Sequence, residues 1–294
     1  MLSIVGTIPD KDLPLIAGSV SMKGDEICLN EWRIPVNRGT PALLAAAIMT
    51  GNMLDQPAPF VYLAGDIGLG NGSRQLYEYL TRHVGQSDAH AITFHYLQPD
   101  IDWHNKVMLA IDEMPKHPLL IADAGYMYTA KMSGQSQAYD LFTPDIGELA
   151  FLADEKAPHP FYTRGFILQE ENRVPDLIAR AYKYNNASRY LLVKGMKDYL
   201  AGRKGILASV DSPMVEAMEA IGGTGDTLTG IASALIASGM KVSDSAFIAA
   251  QVNRLAGFYA NPTPATQVVE IIRQIPRAIE ETLNKTKVII GNEE

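Results

Sequence analysis

The sequence of 294 residues contains a single cysteine, Cys28, which excludes an internal disulfide framework and a zinc site built from cysteines. Its six histidines lack the close spacing that is typical of metal ligands. No run of about 18 uncharged apolar residues occurs, and the first residues lack the basic start and apolar stretch of a secretory signal. These absences predict a cytoplasmic protein without a membrane span.

An excess of positive charge is also absent. The 25 lysines and arginines against 33 aspartates and glutamates give a formal net charge of −8. Proteins that bind nucleic acid or an anionic membrane surface have a basic electrostatic footprint, so the balance argues against both partners. The remaining composition, 47% hydrophobic and 20% charged, is typical of a globular enzyme.

Short apolar segments alternate with helical segments from about residue 60 to the end of the chain. The strand candidates are residues 60–64, 91–97, 119–123, 140–144 and 190–195. Because strands that alternate with helices form parallel sheets, this order predicts an α/β fold with one doubly wound, mostly parallel sheet and helices on both faces. No internal repeat or long linker marks a boundary, so a single domain over residues 1–294 is predicted.

The most informative motif is Gly222-Gly223-Thr224-Gly225-Asp226, which comes directly before an apolar helix. Amides at the first turn of a helix have no intrahelical partner, and with the helix dipole they form an anion site that glycines open to a phosphate. A carboxylate there repels a phosphate unless it takes a proton from a hydroxyl group that attacks the phosphate. The motif therefore predicts Asp226 as a catalytic base. The alternative is that Asp226 caps the helix and the glycines form a turn.

Three further charged residues have two interpretations each. Lys194 ends a strand at the carboxyl edge of the predicted sheet, where ligands bind in open α/β folds, or it is a surface lysine in a turn. Glu148 either orders Mg²⁺ through water or is an early-helix carboxylate that the helix dipole favours. Asp123 follows a buried strand and either belongs to the site or caps a turn.

The glycine-rich motif with the helix after it resembles the signature of the ribokinase-like superfamily. Within that superfamily the chain is similar to the ATP- or ADP-dependent NAD(P)H-hydrate dehydratases. Other segments agree in order and rough spacing, and the resemblance covers roughly residues 60–284. They are Ile67–Gly70 (IGLG), Leu141–Leu149 (LFTPDIGEL), Leu192–Asp198 (LVKGMKD) and the tail Ala265–Pro276.

The resemblance implies a ribokinase-like three-layer αβα fold, a homo-oligomer (dimer or tetramer), ATP or ADP with Mg²⁺, and a hydrated nicotinamide nucleotide as substrate. The hydroxyl group of the hydrated ring would be phosphorylated, and the ring nitrogen would then expel phosphate. The implied site consists of Asp226 as the catalytic residue; Gly222, Gly223, Thr224, Gly225, Lys194, Gly195, Met196, Lys197 and Asp198 at the nucleotide; Thr40, Gly68, Gly70, Asp123 and Asp145 on the substrate side; and Glu148 at Mg²⁺ through water.

This sequence departs from the family pattern on the substrate side. Asp145 stands where the family has histidine, Asp66 stands where it has glycine and proline, and residues 37–41 (NRGTP) match its early glycine-rich turn only faintly. These departures indicate a divergent member. Two alternatives stay open: an ATP-dependent kinase of a small hydroxylated acceptor, such as a sugar or hydroxymethylpyrimidine, and a catalytically silent nucleotide-binding protein.

Overall fold

The computed structural model describes residues 1–157 and 173–291, with side chains through residue 284. In chain order, the strands of these residues are β1 (Leu2–Ile8), β2 (Ile16–Ser19), β3 (Ser21–Lys23), β4 (Glu26–Leu29), β5 (Trp32–Pro35), β6 (Phe60–Gly65), β7 (Ala91–His95), β8 (Leu119–Ala122), β9 (Leu141–Phe142), β10 (Tyr190–Val193), β11 (Asp198–Gly202) and β12 (Gly205–Val210). The helices are α1 (Thr40–Met53), α2 (Asn71–His83), α3 (Ile101–Asp112), α4 (Gly125–Met132), α5 (Ile146–Ala153), α6 (Val174–Lys183), α7 (Thr224–Ala237), α8 (Val242–Ala260), α9 (Val268–Ile272) and α10 (Ile275–Gly291).

The chain divides into two compact units, Met1–Gly18 with Phe60–Ser209, called the sheet unit, and Ser19–Pro59 with Val210–Glu294, called the helical unit. In the sheet unit, the described residues form one sheet in the strand order β12-β11-β10-β9-β8-β7-β1-β6-β2. The pairs β6–β1, β1–β7, β7–β8, β8–β9 and β9–β10 are parallel, and β10–β11 is antiparallel. The prediction of an α/β fold with a mostly parallel sheet is confirmed. The single-domain organisation stays a prediction.

Parallel strands place their carboxyl ends at one edge of a sheet. Three chemically active side chains come from that edge: His95 is the last residue of β7, Asp123 follows β8 and Lys194 follows β10. The strands pack against an apolar core in which the rings of Phe94 and Tyr126 stack with their centroids 4.2 Å apart. Because both rings are fully buried in a packed core, they support the strand ends that bear these polar groups.

The helical unit contains the small antiparallel sheet β3-β4-β5 and the helices α1 and α7–α10. Helices α1 and α7 approach each other closely because small residues line their contact. A Cβ atom on Gly230 of α7 would lie only 2.2 Å from the Leu43 carbonyl oxygen of α1. Burial of Leu43, Leu44 and Ala47 to 1% exposure or less makes the apolar surface of α1 part of the core of this unit.

Two prolines lie in the first turns of helices. Pro41 lies in the first turn of α1, where a missing amide hydrogen costs nothing, and Pro276 lies in the first turn of α10, after α9 has ended at Ile272. Among the described residues, no helix is long and apolar enough to cross a membrane.

Candidate functional site

The residue before α7 is Gly223, which has no side chain that could cap the backbone amides of the first turn. Gly223 precedes the helix with φ at +105°, a conformation that favours glycine. The Thr224 hydroxyl is turned away from the amides, because it donates to the carbonyl oxygens of Ile221 and Met218 at 3.2 and 3.3 Å. The amide hydrogens and the positive end of the helix dipole are therefore suited to bind an anion, as the sequence predicts.

Asp226 is buried, 9% exposed, and its carboxylate is held by a residue far away in the sequence. Oδ2 accepts a hydrogen bond of 2.6 Å from the backbone amide of Gly39. Gly39 has φ +78° and ψ −149°, which is accessible to glycine and aims the amide at the carboxylate. The Asp226 carboxylate is thus held by a charge-assisted hydrogen bond from a residue outside its own helix. A carboxylate in this arrangement can accept a proton from a hydroxyl group at the anion site.

The glycines at 222 and 223 make room for the segment that contains Arg38. A Cβ atom on Gly222 would lie 3.4 Å from Cδ of Arg38, and one on Gly223 would lie 3.1 Å from Cα of Arg38 and 3.1 Å from Val268. At Gly222 a larger residue would make ordinary van der Waals contact, whereas at Gly223 it would have to displace the backbone of Arg38 slightly and adopt a φ that favours glycine. Gly223 therefore serves the close packing of two backbone segments. Thr40, predicted on the substrate side, follows directly as the buried first residue of α1.

Asn253 of α8 forms hydrogen bonds with the first turn of α7. Its Nδ2 donates to the Thr224 carbonyl oxygen at 3.0 Å, and its Oδ1 accepts from the Thr227 hydroxyl at 2.6 Å. Asn253 is only 7% exposed, and Thr227 is fully buried. Both hydrogen bonds lie in a medium of low dielectric constant, so they fix the position of the turn that bears Asp226.

Replacing Asn253 by alanine is expected to lower the free energy of unfolding by about 1–3 kcal/mol, because two buried hydrogen bonds are lost and the Thr227 hydroxyl keeps only the Thr224 carbonyl oxygen as its acceptor. Urea unfolding followed by circular dichroism measures the change. The control is Asn52→Ala on the exposed side of α1, for which we expect a change within about 0.5 kcal/mol. Equal losses for the two variants would contradict the role of Asn253.

In the sheet unit, Lys194 and Asp123 form an ion pair. The Lys194 ammonium donates to Oδ1 and Oδ2 of Asp123 at 2.8 and 3.0 Å. The side chains are 14% and 1% exposed, and Oδ1 also accepts from the Ala124 amide at 2.8 Å. Nε2 of the fully buried His95 lies 3.8 Å from Oδ2. The structure thus joins the sequence-predicted Lys194 and Asp123 directly, and the pairing fixes the ammonium at the carboxyl edge of the sheet.

Asp145 and Glu148 form a capping box at the start of α5. The Asp145 carboxylate accepts from the Glu148 amide at 2.7 Å, and the Glu148 carboxylate accepts from the Asp145 amide at 2.8 Å. Burial, together with the nearby carboxylates of Asp145 and Asp123, raises the pKa of Glu148 well above its usual range, although the Lys194 ammonium acts in the opposite direction.

The donor set around Glu148 fits Mg²⁺. Carboxylate oxygens are the ligands this ion prefers, and it usually keeps several of its waters. The positive charge of Lys194 is balanced by its ion pair with Asp123. The carboxylates of Asp145 and Glu148 therefore repel each other without a cation of their own to neutralise them. A divalent cation bound through water would relieve this repulsion.

Two loops contain the remaining predicted residues. In the turn Lys194–Asp198, the Gly195 amide donates to Asp198 Oδ1 at 3.1 Å, and Met196 is 55% exposed. In the loop after β6, the Asp66 carboxylate accepts from the amides of Gly68, Gly70 and Ser73 at 2.9–3.0 Å. Burial opposes ionisation of Asp66, but these hydrogen bonds outweigh it and lower its pKa. The departure at Asp66 thus organises the loop that contains Gly68 and Gly70.

Sequence reasoning missed Arg38, Gly39, Asn253 and His95. The faint NRGTP match contains a signal for the first two, since a glycine before a Pro-containing helix start indicates an unusual backbone conformation. For Asn253 and His95 no local signal exists, because their partners are 29 and 28 positions away in the sequence.

A family model described as NAD(P)H-hydrate dehydratase matches residues 100–277. An uncharacterized protein of Methanocaldococcus jannaschii is 42% identical over 242 residues, which are 82% of this chain and 100% of that protein. Among solved structures, a ribokinase-like superfamily protein of Enterococcus faecalis is 15% identical with a TM-score of 0.58 and covers 96% of this chain and 87% of its own. An ADP/ATP-dependent NAD(P)H-hydrate dehydratase of Bacillus subtilis, co-crystallised with ATP/Mg²⁺, is 14% identical with a TM-score of 0.52 and covers 96% of this chain and 92% of its own.

These similarities confirm the resemblance on which the sequence analysis relied. The solved structures show a ribokinase-like fold, at identities too low to show more. The family model spans more than half of the chain, and it describes enzymes. The chain therefore belongs to the NAD(P)H-hydrate dehydratase family of ribokinase-like carbohydrate kinases.

Proposed function

We propose that this protein is an ATP- or ADP-dependent dehydratase of hydrated NADH or NADPH, with Asp226 as its catalytic base. One observation supports this most directly. The Asp226 carboxylate lies in the first turn of α7, whose amides favour an anion, and the Gly39 amide fixes its direction. Membership of the family supplies the substrate class.

The proposed reaction has two steps. First, Asp226 accepts the proton of the hydroxyl group on the hydrated ring. The oxygen of that hydroxyl group bonds to the terminal phosphorus of the nucleotide, and the bond from this phosphorus to the nucleotide leaving group breaks. Second, the lone pair of the ring nitrogen expels phosphate as the carbon–oxygen bond breaks. Loss of a proton from the neighbouring ring carbon then completes the double bond of the reduced nicotinamide. The products are the reduced dinucleotide, phosphate and ADP (or AMP).

The remaining residues bind and orient. The amides of residues 222–225 stabilise the negative charge of the phosphoryl group during its transfer, and the turn Lys194–Asp198 binds the nucleotide. Thr40, Gly68, Gly70, Asp123 and Asp145 belong to the substrate side of the proposal. Mg²⁺ held through water by Glu148 would neutralise phosphate charge. The ion pair with Asp123 holds the Lys194 ammonium so that little rotational freedom is lost on binding.

The test mixes the purified protein with Mg²⁺, chemically hydrated NADH, and ATP or ADP. We expect the absorbance of the reduced ring to return, with one phosphate released for each ring restored. Reactions without nucleotide and with NADH in place of its hydrate are the controls. A stable phosphorylated sugar or pyrimidine, formed without any recovery of absorbance, would support the kinase and overturn the dehydratase. Nucleotide binding without any turnover would identify a silent binding protein.

A further inference from the structure

The side chain of Arg38 lies along the glycine turn that leads into α7. Its Cβ and Cδ atoms would be 3.5 and 3.4 Å from a Cβ atom on Gly222. The next residue, Gly39, donates its amide to Asp226, so the backbone at Arg38 is tied to the carboxylate. Only the guanidinium group extends beyond Cδ, so the positive charge is carried by atoms bonded directly to one that packs against the glycine turn.

Arg38 is exposed, and its guanidinium has no hydrogen-bond or ion-pair partner within residues 1–157 and 173–284. Other arginines of the same unit are engaged: Arg33 donates to the carbonyl oxygens of Asn30 and Trp32, and Arg273 pairs with Asp25. The Asp226 carboxylate accepts a hydrogen bond from the Gly39 amide. Arg38 therefore offers its full donor capacity to a ligand.

A positive charge at Arg38 would favour the proposed phosphoryl transfer beside Asp226. Charge builds on the terminal phosphoryl group during transfer, and the planar guanidinium matches two phosphate oxygens at once. The adjacent Asp226 carboxylate repels the same group, so a nearby positive charge lowers the cost of having base and phosphate side by side. An arginine that binds no phosphate at this position would be an ordinary solvated side chain, and its removal would leave turnover and ATP binding unchanged.

We propose that Arg38 is a catalytic residue that binds the terminal phosphoryl group of the nucleotide and stabilises it during transfer. This inference rests on the proposed phosphoryl transfer at Asp226, and it adds a residue that neither the family signature nor the sequence analysis assigns. Arg38 supplies no proton and breaks no bond. It holds the phosphoryl oxygens while the acceptor oxygen attacks.

The experiment compares Arg38→Ala and Arg38→Lys with Arg33→Ala, an exposed arginine of the same unit whose loss changes net charge equally. Arg38→Ala is expected to reduce kcat/KM about 100-fold, as loss of a single donor to a transition-state oxyanion does. Arg38→Lys is expected to reduce it about tenfold, because lysine keeps the positive charge but lacks the planar pair of donors that matches two phosphate oxygens. Arg33→Ala should behave as wild type.

Nucleotide binding gives an independent readout. Titration calorimetry without acceptor should show ATP binding weakened about tenfold by Arg38→Ala and AMP binding unchanged, since AMP lacks the terminal phosphoryl group. Turnover and ATP affinity equal to those of Arg33→Ala would overturn the role of Arg38 and leave the proposed function intact. Equal weakening of ATP and AMP would also overturn it. A wild-type protein that neither binds ATP nor turns over substrate would instead refute the proposed function itself.

Discussion

The Asp226→Asn variant is expected to lose activity by about 10²–10⁴-fold in kcat, the contribution typical of a positioned general base. Asparagine keeps the size of the side chain and an oxygen that can accept the Gly39 amide, but it cannot take a proton from the attacking hydroxyl group. Nucleotide affinity should stay the same or rise, since a negative charge beside the phosphates is removed. Steady-state recovery of the reduced-ring absorbance measures kcat, and calorimetry measures the affinity.

The matched control is Asp244→Asn, an exposed carboxylate in the first turn of α8 in the same unit. It removes the same charge from a helix start without touching the anion site, so its kcat should equal that of wild type. If Asp226→Asn retained kcat within a factor of about three of this control, Asp226 would not be the base, and the proposed mechanism would fail. Circular dichroism of both variants checks that the fold is kept.

The Lys194→Met variant is expected to lower the free energy of unfolding by about 3–5 kcal/mol, because it leaves the Asp123 carboxylate buried without its cation. The double variant Asp123→Asn/Lys194→Met removes both charges and should be more stable than Lys194→Met alone. Urea unfolding at neutral pH, with the two single variants and the double variant, measures the coupling between the side chains.

The exposed pair Arg82–Glu78 on α2 is the control for this cycle. Its side chains are 68% and 48% exposed, so Arg82→Met should cost less than about 1 kcal/mol. An equal loss for Lys194→Met and Arg82→Met would mean that the buried pair contributes no more than a solvated one. Nucleotide affinity of the folded Lys194→Met protein separately tests the proposed role of Lys194.

The strands were predictable because they are apolar on both faces. The segments 60–64 and 119–123 correspond to β6 and β8 almost residue for residue, since buried parallel strands need no alternation of polar residues and are bounded by turns. Strand β9 is shorter than the predicted segment 140–144, because Thr143 and Pro144 lie in the loop that connects β9 to α5. A proline cannot donate an amide to the neighbouring strand.

Helix ends were harder to predict. Serine is a preferred capping residue, so the sequence predicts Ser243 as the cap of α8, but the helix begins at Val242 and Ser243 lies inside its first turn, with its hydroxyl directed to Asp244. Local preferences for a capping residue are worth about 1 kcal/mol, and the burial of Val242 competes with them. At α5 the local signal was sufficient, because both partners of the capping box, Asp145 and Glu148, lie three residues apart in the sequence.

By itself, the amino-acid order determined the α/β class, the positions of the parallel strands from β6 to β10 and the glycine-rich helix start with its aspartate, whereas the parallel strand β1 was not predicted. Each of these depends on neighbours within one element or one turn. Only the folded chain decided what lies against that helix start: Gly39 and Arg38, some 187 positions from Asp226, and the pairing of Lys194 with Asp123 across 71 positions. Contacts at such separations arise from the packing of whole elements, and no local pattern of side chains encodes them.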